Sequence, residues 1–96
     1  TVLDNKMNEL EFELLNNYPN PFNPSTTIEF SLKKYSSVDL TVYDVLGCEI
    51  KNIFNGNLPV GLHKFSFDAK GLSSGVYFYR LKANNKISIK KMLLLR

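Results

Sequence analysis

The sequence has few of the residues on which small disulfide-bonded, metal-binding or membrane-spanning proteins depend. It contains one cysteine, Cys48, one histidine, His63, and no tryptophan. A single cysteine excludes an internal disulfide and a cysteine-based metal site, so stability has to come from packing. The apolar run at residues 92–95 is far shorter than the roughly 20 residues that a membrane-spanning helix needs.

Catalytic motifs are also missing. A serine or cysteine nucleophile usually needs a base nearby, but His63 lies in a strand-like segment without a nucleophile motif. The sequence has no glycine-rich phosphate loop and no metal-ligand spacing. We therefore expect no enzymatic activity and no cofactor.

Acidic residues are absent from the end of the sequence. Residues 69–96 hold seven basic residues and no acid, whereas residues 1–50 hold eight acids and three lysines. Two interpretations stay open: lysines that protect an exposed strand from edge-to-edge aggregation, or a surface that meets an anionic partner. Nucleic-acid binding is not expected, because the alternation that exposes these bases turns Tyr77 and Tyr79 inward and leaves only Phe78 for stacking.

Short segments of alternating apolar and polar residues recur along the chain and predict strands. They lie at residues 11–14, 28–33, 38–43, 49–54, 62–67, 75–82 and 86–95. Residues 1–9 are polar and charged, as at the end of a linker from a parent protein, so one domain is predicted over residues 10–96. Seven short strands without helical periodicity favour an all-β fold, a two-sheet β-sandwich.

Turn residues separate the predicted strands. Residues 44–47 and 68–71 each begin with Asp and end with Gly, the pattern of a type I turn; in the first, these are Asp44 and Gly47. The pair at residues 55–56, Asn-Gly, suits a tight turn after the fourth strand. Residues 34–37 are predicted to join the second and third strands in a hairpin.

The sixth predicted strand begins at Gly75 and resembles one strand of the immunoglobulin sandwich. Tyr77, Tyr79 and Leu81 should face the core, because the basic residues of this strand have the opposite parity. Immunoglobulin-type sandwiches have a tyrosine at the start of the sixth strand whose hydroxyl bonds back to the preceding corner. Tyr77 is therefore predicted to bond to the backbone of residues 70–74.

The final hairpin determines which side chains of the last strand reach the core. We predict a loop at residues 83–85 with Asn85 in the left-handed region, which pairs Leu81 with Ile87. This register turns inward the side chains of Ile87, Ile89, Leu93 and Leu95. Met92 and Leu94 then lie on the outer face beside lysines, which suits a partner that adds a strand or covers the sheet. Homodimerisation of the isolated domain through the same strand is the alternative.

Four segments, in this order, resemble the type A C-terminal sorting domains of the bacterial type IX secretion system. They are residues 17–28 (NYPNPFNPSTTI), 42–47 (VYDVLG), 75–81 (GVYFYRL) and 90–96 (KKMLLLR). The first segment is also similar to the immunoglobulin-like part of flagellar hook-capping proteins. The terminal segment therefore contributes most to the assignment.

The resemblance implies a seven-stranded immunoglobulin-like sandwich at the C-terminus of a cargo protein. Such a domain would be recognised by outer-membrane secretion machinery, directed through the periplasm and outer membrane to the cell surface or medium, and cleaved off on export. The cargo would be released, or attached to anionic lipopolysaccharide by a sortase-like protease. The competing hypothesis is a passive immunoglobulin-like spacer or adhesion module that contacts carbohydrate through aromatics such as Tyr43 and Phe78.

Candidate functional residues follow from the first and last of these segments. Asn-Pro pairs fix extended and turn geometry, and their prolines cannot donate strand hydrogen bonds. We interpret the pairs as a structural clamp, with recognition by the export machinery as the alternative; they comprise Asn20, Pro21, Asn23 and Pro24. The terminal segment is predicted to carry the sorting signal, in residues Lys90, Lys91, Met92, Leu93, Leu94, Leu95 and Arg96.

Overall fold

The computed structural model describes residues 11–96, which form seven strands joined by short loops. The strands are β1 (Phe12–Leu14), β2 (Ser25–Leu32), β3 (Ser36–Tyr43), β4 (Glu49–Leu58), β5 (Gly61–Asp68), β6 (Gly75–Ala83) and β7 (Lys86–Leu94). The predicted linker, residues 1–9, and the predicted start of the domain at Leu10 lie outside the described residues. Within residues 11–96 no helix is long and apolar enough to cross a bilayer.

The strands form two antiparallel sheets that enclose one core, as the sandwich prediction requires. One sheet has the order β1-β2-β5 and the other the order β4-β3-β6-β7. Because strand side chains alternate between faces, each sheet contributes one parity to the core. Its buried apolar side chains include Ile28, Phe30, Val38, Leu40, Val42, Phe67, Tyr79 and Leu81. Full burial of one such side chain contributes roughly 1.5–3 kcal/mol.

The connection between β2 and β3 is not the predicted hairpin. β2 pairs with β1 and β5, whereas β3 pairs with β4 and β6 in the opposite sheet. The short segment between them therefore crosses from one sheet to the other. Alternating burial is the same whether two strands pair or face each other across a core, so the pattern did not distinguish the two arrangements.

β4 is longer than predicted because it continues through the expected turn at residues 55–56. Gly56 pairs with Val38 inside the β3–β4 ladder, and the strand ends at Leu58. A Cβ atom at Gly56 would lie 3.2 Å from the ring of Phe54. The glycine therefore makes room for a neighbouring aromatic side chain and does not serve a tight turn.

The turn after β3 forms as predicted. The carbonyl of Asp44 accepts the N–H of Gly47 at 3.0 Å, and its carboxylate accepts the N–H groups of Leu46 and Cys48, each at 2.9 Å. Gly47 has a φ of 83°, which glycine adopts without steric cost. Asp44 is thus occupied in local structure.

The second Asp-Gly turn is displaced by one residue from its predicted place. The N–H of Leu72 bonds to the carbonyl of Ala69 at 3.0 Å, so Gly71 occupies the third position of the turn. Its φ of 88° suits the third position of a type II turn, which requires a positive φ. The predicted type I turn at residues 68–71 is therefore wrong.

Candidate recognition surface

A two-residue turn joins β6 and β7, so the predicted three-residue loop is wrong. Ala83 pairs with Lys86, and Asn84 instead of Asn85 has a positive φ, of 56°. Asn84 is held by a distant strand: its N–H donates to the carbonyl of Ser37 at 2.8 Å, and its Oδ1 accepts the N–H of Ser37 at 3.1 Å. These tertiary bonds favour the shorter turn.

The shorter turn reverses the two faces of β7, because a shift of one residue exchanges inward and outward side chains. Leu81 now pairs with Ser88. Met92 and Leu94 are 0% exposed, so their predicted place on the outer face is wrong. The predicted inward residues are instead exposed on the outer side, at 53% for Ile87, 58% for Ile89 and 51% for Leu95. Leu93, also predicted inward, is half-buried on that outer face.

The terminal segment, residues 90–96, lies beside residues 17–24, which contain the Asn-Pro pairs and are called the Asn-Pro segment below. Leu93 donates its N–H to Oδ1 of Asn20 and accepts the N–H of Phe22 on its carbonyl, both at 3.0 Å. Leu95 donates its N–H to the carbonyl of Phe22 at 3.0 Å. The Phe22 side chain is 2% exposed and packs edge-on against Phe67 in the core. The first and last segments of the resemblance therefore form one substructure.

The remaining residues of the Asn-Pro clamp lie at the surface. Pro21, Asn23 and Pro24 are exposed. The carbonyl of Pro24 accepts the N–H of Ala69 at 2.9 Å. Asn20 and Pro24 thus contact the rest of the domain as a clamp would, although neither residue was predicted to reach these particular partners.

The corner between β5 and β6 accepts hydrogen bonds from two side chains, Tyr77 of the adjoining strand β6 and the distant Arg96. The hydroxyl of Tyr77 donates to the carbonyl of Ser73 at 2.7 Å, which confirms the predicted corner. The Arg96 guanidinium donates to the carbonyl of Leu72 at 2.7 Å and to that of Ala69 at 3.1 Å. Gly75, with a φ of 149°, begins β6 in a conformation that other residues rarely adopt.

Tyr79 links the two sheets through its hydroxyl. The buried side chain lies in β6, and the hydroxyl donates to the carbonyl of Leu15 at 2.7 Å and accepts the N–H of Asn17 at 2.9 Å. Burial raises the pKa of this hydroxyl above its ordinary value, and the bond from Asn17 acts in the opposite direction. Asn17 in turn bonds to Thr26 at 3.0 Å, which anchors the Asn-Pro segment to β2.

The outer face of the four-stranded sheet carries exposed apolar and basic side chains. Here we call this surface the β6–β7 face; its residues are Val76, Phe78, Arg80, Lys82, Ile87, Ile89, Lys91 and Leu93. Between this face and the end of β3, a hollow of about 410 Å³ is lined by Tyr43, Gly47, Phe78, Arg80 and Ile89. The Arg80 guanidinium carbon lies 5.2 Å from the centre of the Tyr43 ring. Lys90 has the inward parity and is half-buried at the edge of the sandwich.

The outer face of the three-stranded sheet differs in character. Along β2 it presents Thr27, Glu29 and Ser31, and along β5 it presents Leu62, Lys64, Ser66 and Asp68. Leu62 is the only large apolar side chain among these seven. Of the two outer faces, the β6–β7 face therefore carries more exposed apolar side chains, and sequence reasoning missed it because it assigned Ile87 and Ile89 to the core. Other exposed apolar side chains, such as Leu46 and Val60, lie in loops.

His63 lies in β5, as the sequence pattern predicted. Its Nε2 atom lies 2.8 Å from the carbonyl of Pro59. In the part of the chain that the structure describes, no three His, Cys, Asp or Glu side chains are grouped as metal ligands would be. Cys48 is exposed beside the Asp44 turn.

The comparison with protein families identifies the domain. The family model described as "Secretion system C-terminal sorting domain" matches residues 16–95. Comparisons with curated proteins and with solved structures gave no match. The family match includes both the Asn-Pro segment and the terminal strand that the structure joins, and it does not favour the passive spacer. The chain therefore belongs to the secretion-system C-terminal sorting domains and is a sorting signal of the type IX secretion system, which directs export to the cell surface or medium.

Proposed function

We propose that the outer-membrane export machinery recognises this domain as a folded sandwich, through the β6–β7 face. The cargo would reach the periplasm first, and a sortase-like protease would remove the domain during or after passage through the outer membrane. The domain itself would act as an address and perform no catalysis. Recognition would depend on side chains that the fold leaves exposed instead of on the linear terminal segment.

The exposure of Ile87 and Ile89 is the observation that supports this proposal. Both lie on the outer face of β7 and are more than half exposed. Their side chains therefore add little to the stability of the sandwich. Covering an isoleucine side chain completely contributes roughly 1.5–3 kcal/mol, which a binding partner would gain. By contrast, Met92 and Leu94 are fully buried and are available to a partner only if the domain unfolds.

An export assay tests this assignment. The 96-residue chain would be fused behind a fluorescent cargo that carries an inner-membrane export signal, in a bacterium with a type IX system. We expect the double variant Ile87→Ser/Ile89→Ser to remain folded and to lower secreted fluorescence by about tenfold or more, with cargo accumulating in the periplasm.

Val60 and Leu62 provide a matched control. They are 62% and 54% exposed. Val60 lies in the loop before β5 and Leu62 lies in β5, in the sheet opposite the β6–β7 face. The variant Val60→Ser/Leu62→Ser should be exported like the parental fusion. Export of both double variants at the parental level would contradict recognition through the β6–β7 face.

A further inference from the structure

We infer that the edge of β7 from Ile87 to Lys91 accepts an extended acidic segment of the export machinery, which adds to the sheet as a strand. We call these residues the docking edge. The inference depends on the proposed function and specifies the mode of contact and the chemistry of the partner.

Every second residue of the docking edge directs its backbone N–H and C=O groups away from β6. In an antiparallel ladder, successive residues direct their N–H and C=O groups alternately toward and away from the neighbouring strand. The backbone N–H and C=O groups of Leu93 point away from β6, because they bond to Asn20 and Phe22. The β6–β7 register is uninterrupted, so the backbone groups of Ile87, Ile89 and Lys91 also point away from β6, toward the open edge.

The Asn-Pro segment covers only the end of this edge. Among residues 11–96, the backbone groups of Leu93 and Leu95 bond to Asn20 and Phe22, and no described residue bonds to those of Ile87, Ile89 or Lys91. A row of unpaired backbone groups is a template for strand addition. The open part of the edge lies directly beside the exposed isoleucines of the β6–β7 face.

The charges on this edge favour an acidic occupant. Lys86, Lys90 and Lys91 lie in β7, and residues 69–96 contain no acid. A second copy paired through β7 would bring the same lysines together, and like charges opposite each other destabilise a strand pair. Lysines on an edge discourage uncharged strands from pairing. An acidic strand is the one class that they attract.

Acids also line the opposite wall of the groove beside the docking edge. This groove, of about 350 Å³, separates β1 from β7 and contains Glu11 and Glu13. The Asn84 side chain donates to Glu11 at 3.3 Å, and this bond, the Lys34 ammonium 3.5 Å away and the charge of Lys86 lower the pKa of the Glu11 carboxyl. Lys86 and Lys90 line the same groove, whereas Lys91 has the opposite parity and does not. The acids of an added strand should therefore lie over Lys91, on the outer face, and avoid the β1 side.

Proline substitution in the export assay separates backbone pairing from side-chain contact. The N–H of Ile89 points away from β6, so Ile89→Pro removes a donor for the partner without removing a bond inside the sheet. We expect this variant to fold and to lose export about tenfold or more, whereas Ile89→Thr, which keeps the N–H, retains most of it. Lys64→Pro provides a control at the outward edge of β5 and should be exported normally.

Two export results would overturn the docking edge. One is parental export of Ile89→Pro. If that variant fails to fold, the triple variant Lys86→Glu/Lys90→Glu/Lys91→Glu tests the charge requirement, and its parental export would equally contradict the inference. If Ile87→Ser/Ile89→Ser abolishes export while these variants retain it, the β6–β7 face is recognised without strand addition and the proposed function alone survives.

Amide hydrogen exchange tests the contact directly. In the free 96-residue chain, the amides of Ile87, Ile89 and Lys91 should exchange rapidly. A short synthetic peptide of alternating Glu and Val should slow their exchange, and the corresponding Lys and Val peptide should not. Slow exchange in the free monomer would overturn the inference, because the edge would already be covered. Protection that depends only on the concentration of the chain itself would also overturn it, because the occupant would be a second copy.

Discussion

The two halves of β7 differ in what the rest of the protein does with them. In the second half, Met92 and Leu94 are buried and the backbone of Leu93 is bonded to the Asn-Pro segment. In the first half, Ile87 and Ile89 are exposed and alternate with polar and basic residues. The fold therefore depends on one half, and the other half is available for recognition. A sorting signal at the end of a chain need not be recognised as a linear peptide.

The largest expected effect on stability comes from truncating the buried side chains in the second half of β7. Replacing Met92 and Leu94 with Ala should cost about 2–5 kcal/mol at each position, a large part of the 5–15 kcal/mol that stabilises a typical domain. Urea unfolding monitored by circular dichroism would measure the loss. The matched variant Ile87→Ala/Ile89→Ala should change the free energy of unfolding by only about 0.5 kcal/mol. Similar losses for both pairs would contradict the observed register of β7.

Phe22 tests whether the Asn-Pro segment stabilises the buried half of β7. Phe22→Ala should lower the free energy of unfolding by about 3–5 kcal/mol, because the ring is buried in the core between the two segments. Tyr18, in the same segment and 77% exposed, provides the control, and Tyr18→Ala should have little effect. A small loss for Phe22→Ala in chemical denaturation would mean that the segment is not a clamp.

Tyr79 extends the comparison to the contact between the two sheets. Tyr79→Phe should cost about 1–3 kcal/mol, because the N–H of Asn17 and the carbonyl of Leu15 lose a buried partner. The folded pKa is raised, so the hydroxyl contributes its full stability below about pH 10, where the unfolded tyrosine ionises. As the pH rises through the folded pKa, this contribution is lost. The difference in unfolding free energy between parental and Tyr79→Phe chains should therefore shrink as the pH rises above about 10.

Tyr77 should give the smallest of these effects. Tyr77→Phe removes the hydrogen bond to Ser73 at a partly exposed corner, and we expect a loss of about 1 kcal/mol. Thermal unfolding would detect it. Export of the folded variant should be unchanged, because Tyr77 lies outside the β6–β7 face. An export defect without a stability defect would assign the corner a part in recognition.

Much of this architecture could be predicted from local patterns. Alternating apolar residues indicated all seven strands, and the same alternation placed Tyr77, Tyr79 and Leu81 in the core. The Asp44 turn and the bond from Tyr77 to the corner were also predicted. These features depend on residues close together in the sequence, so a local pattern contains the information. The four family segments similarly identify the sorting domain from the sequence alone.

The faces of β7 and the sheet to which each strand belongs were decided only in the tertiary structure. Alternation shows which residues of a strand share a face, but the register determines which face points inward. In the last hairpin, the bonds of Asn84 to Ser37, 47 positions earlier, accompany the two-residue turn. The pairing of Phe22 with the terminal segment is likewise long-range. Both depend on contacts between residues that are distant in sequence, which the period of a single strand does not encode.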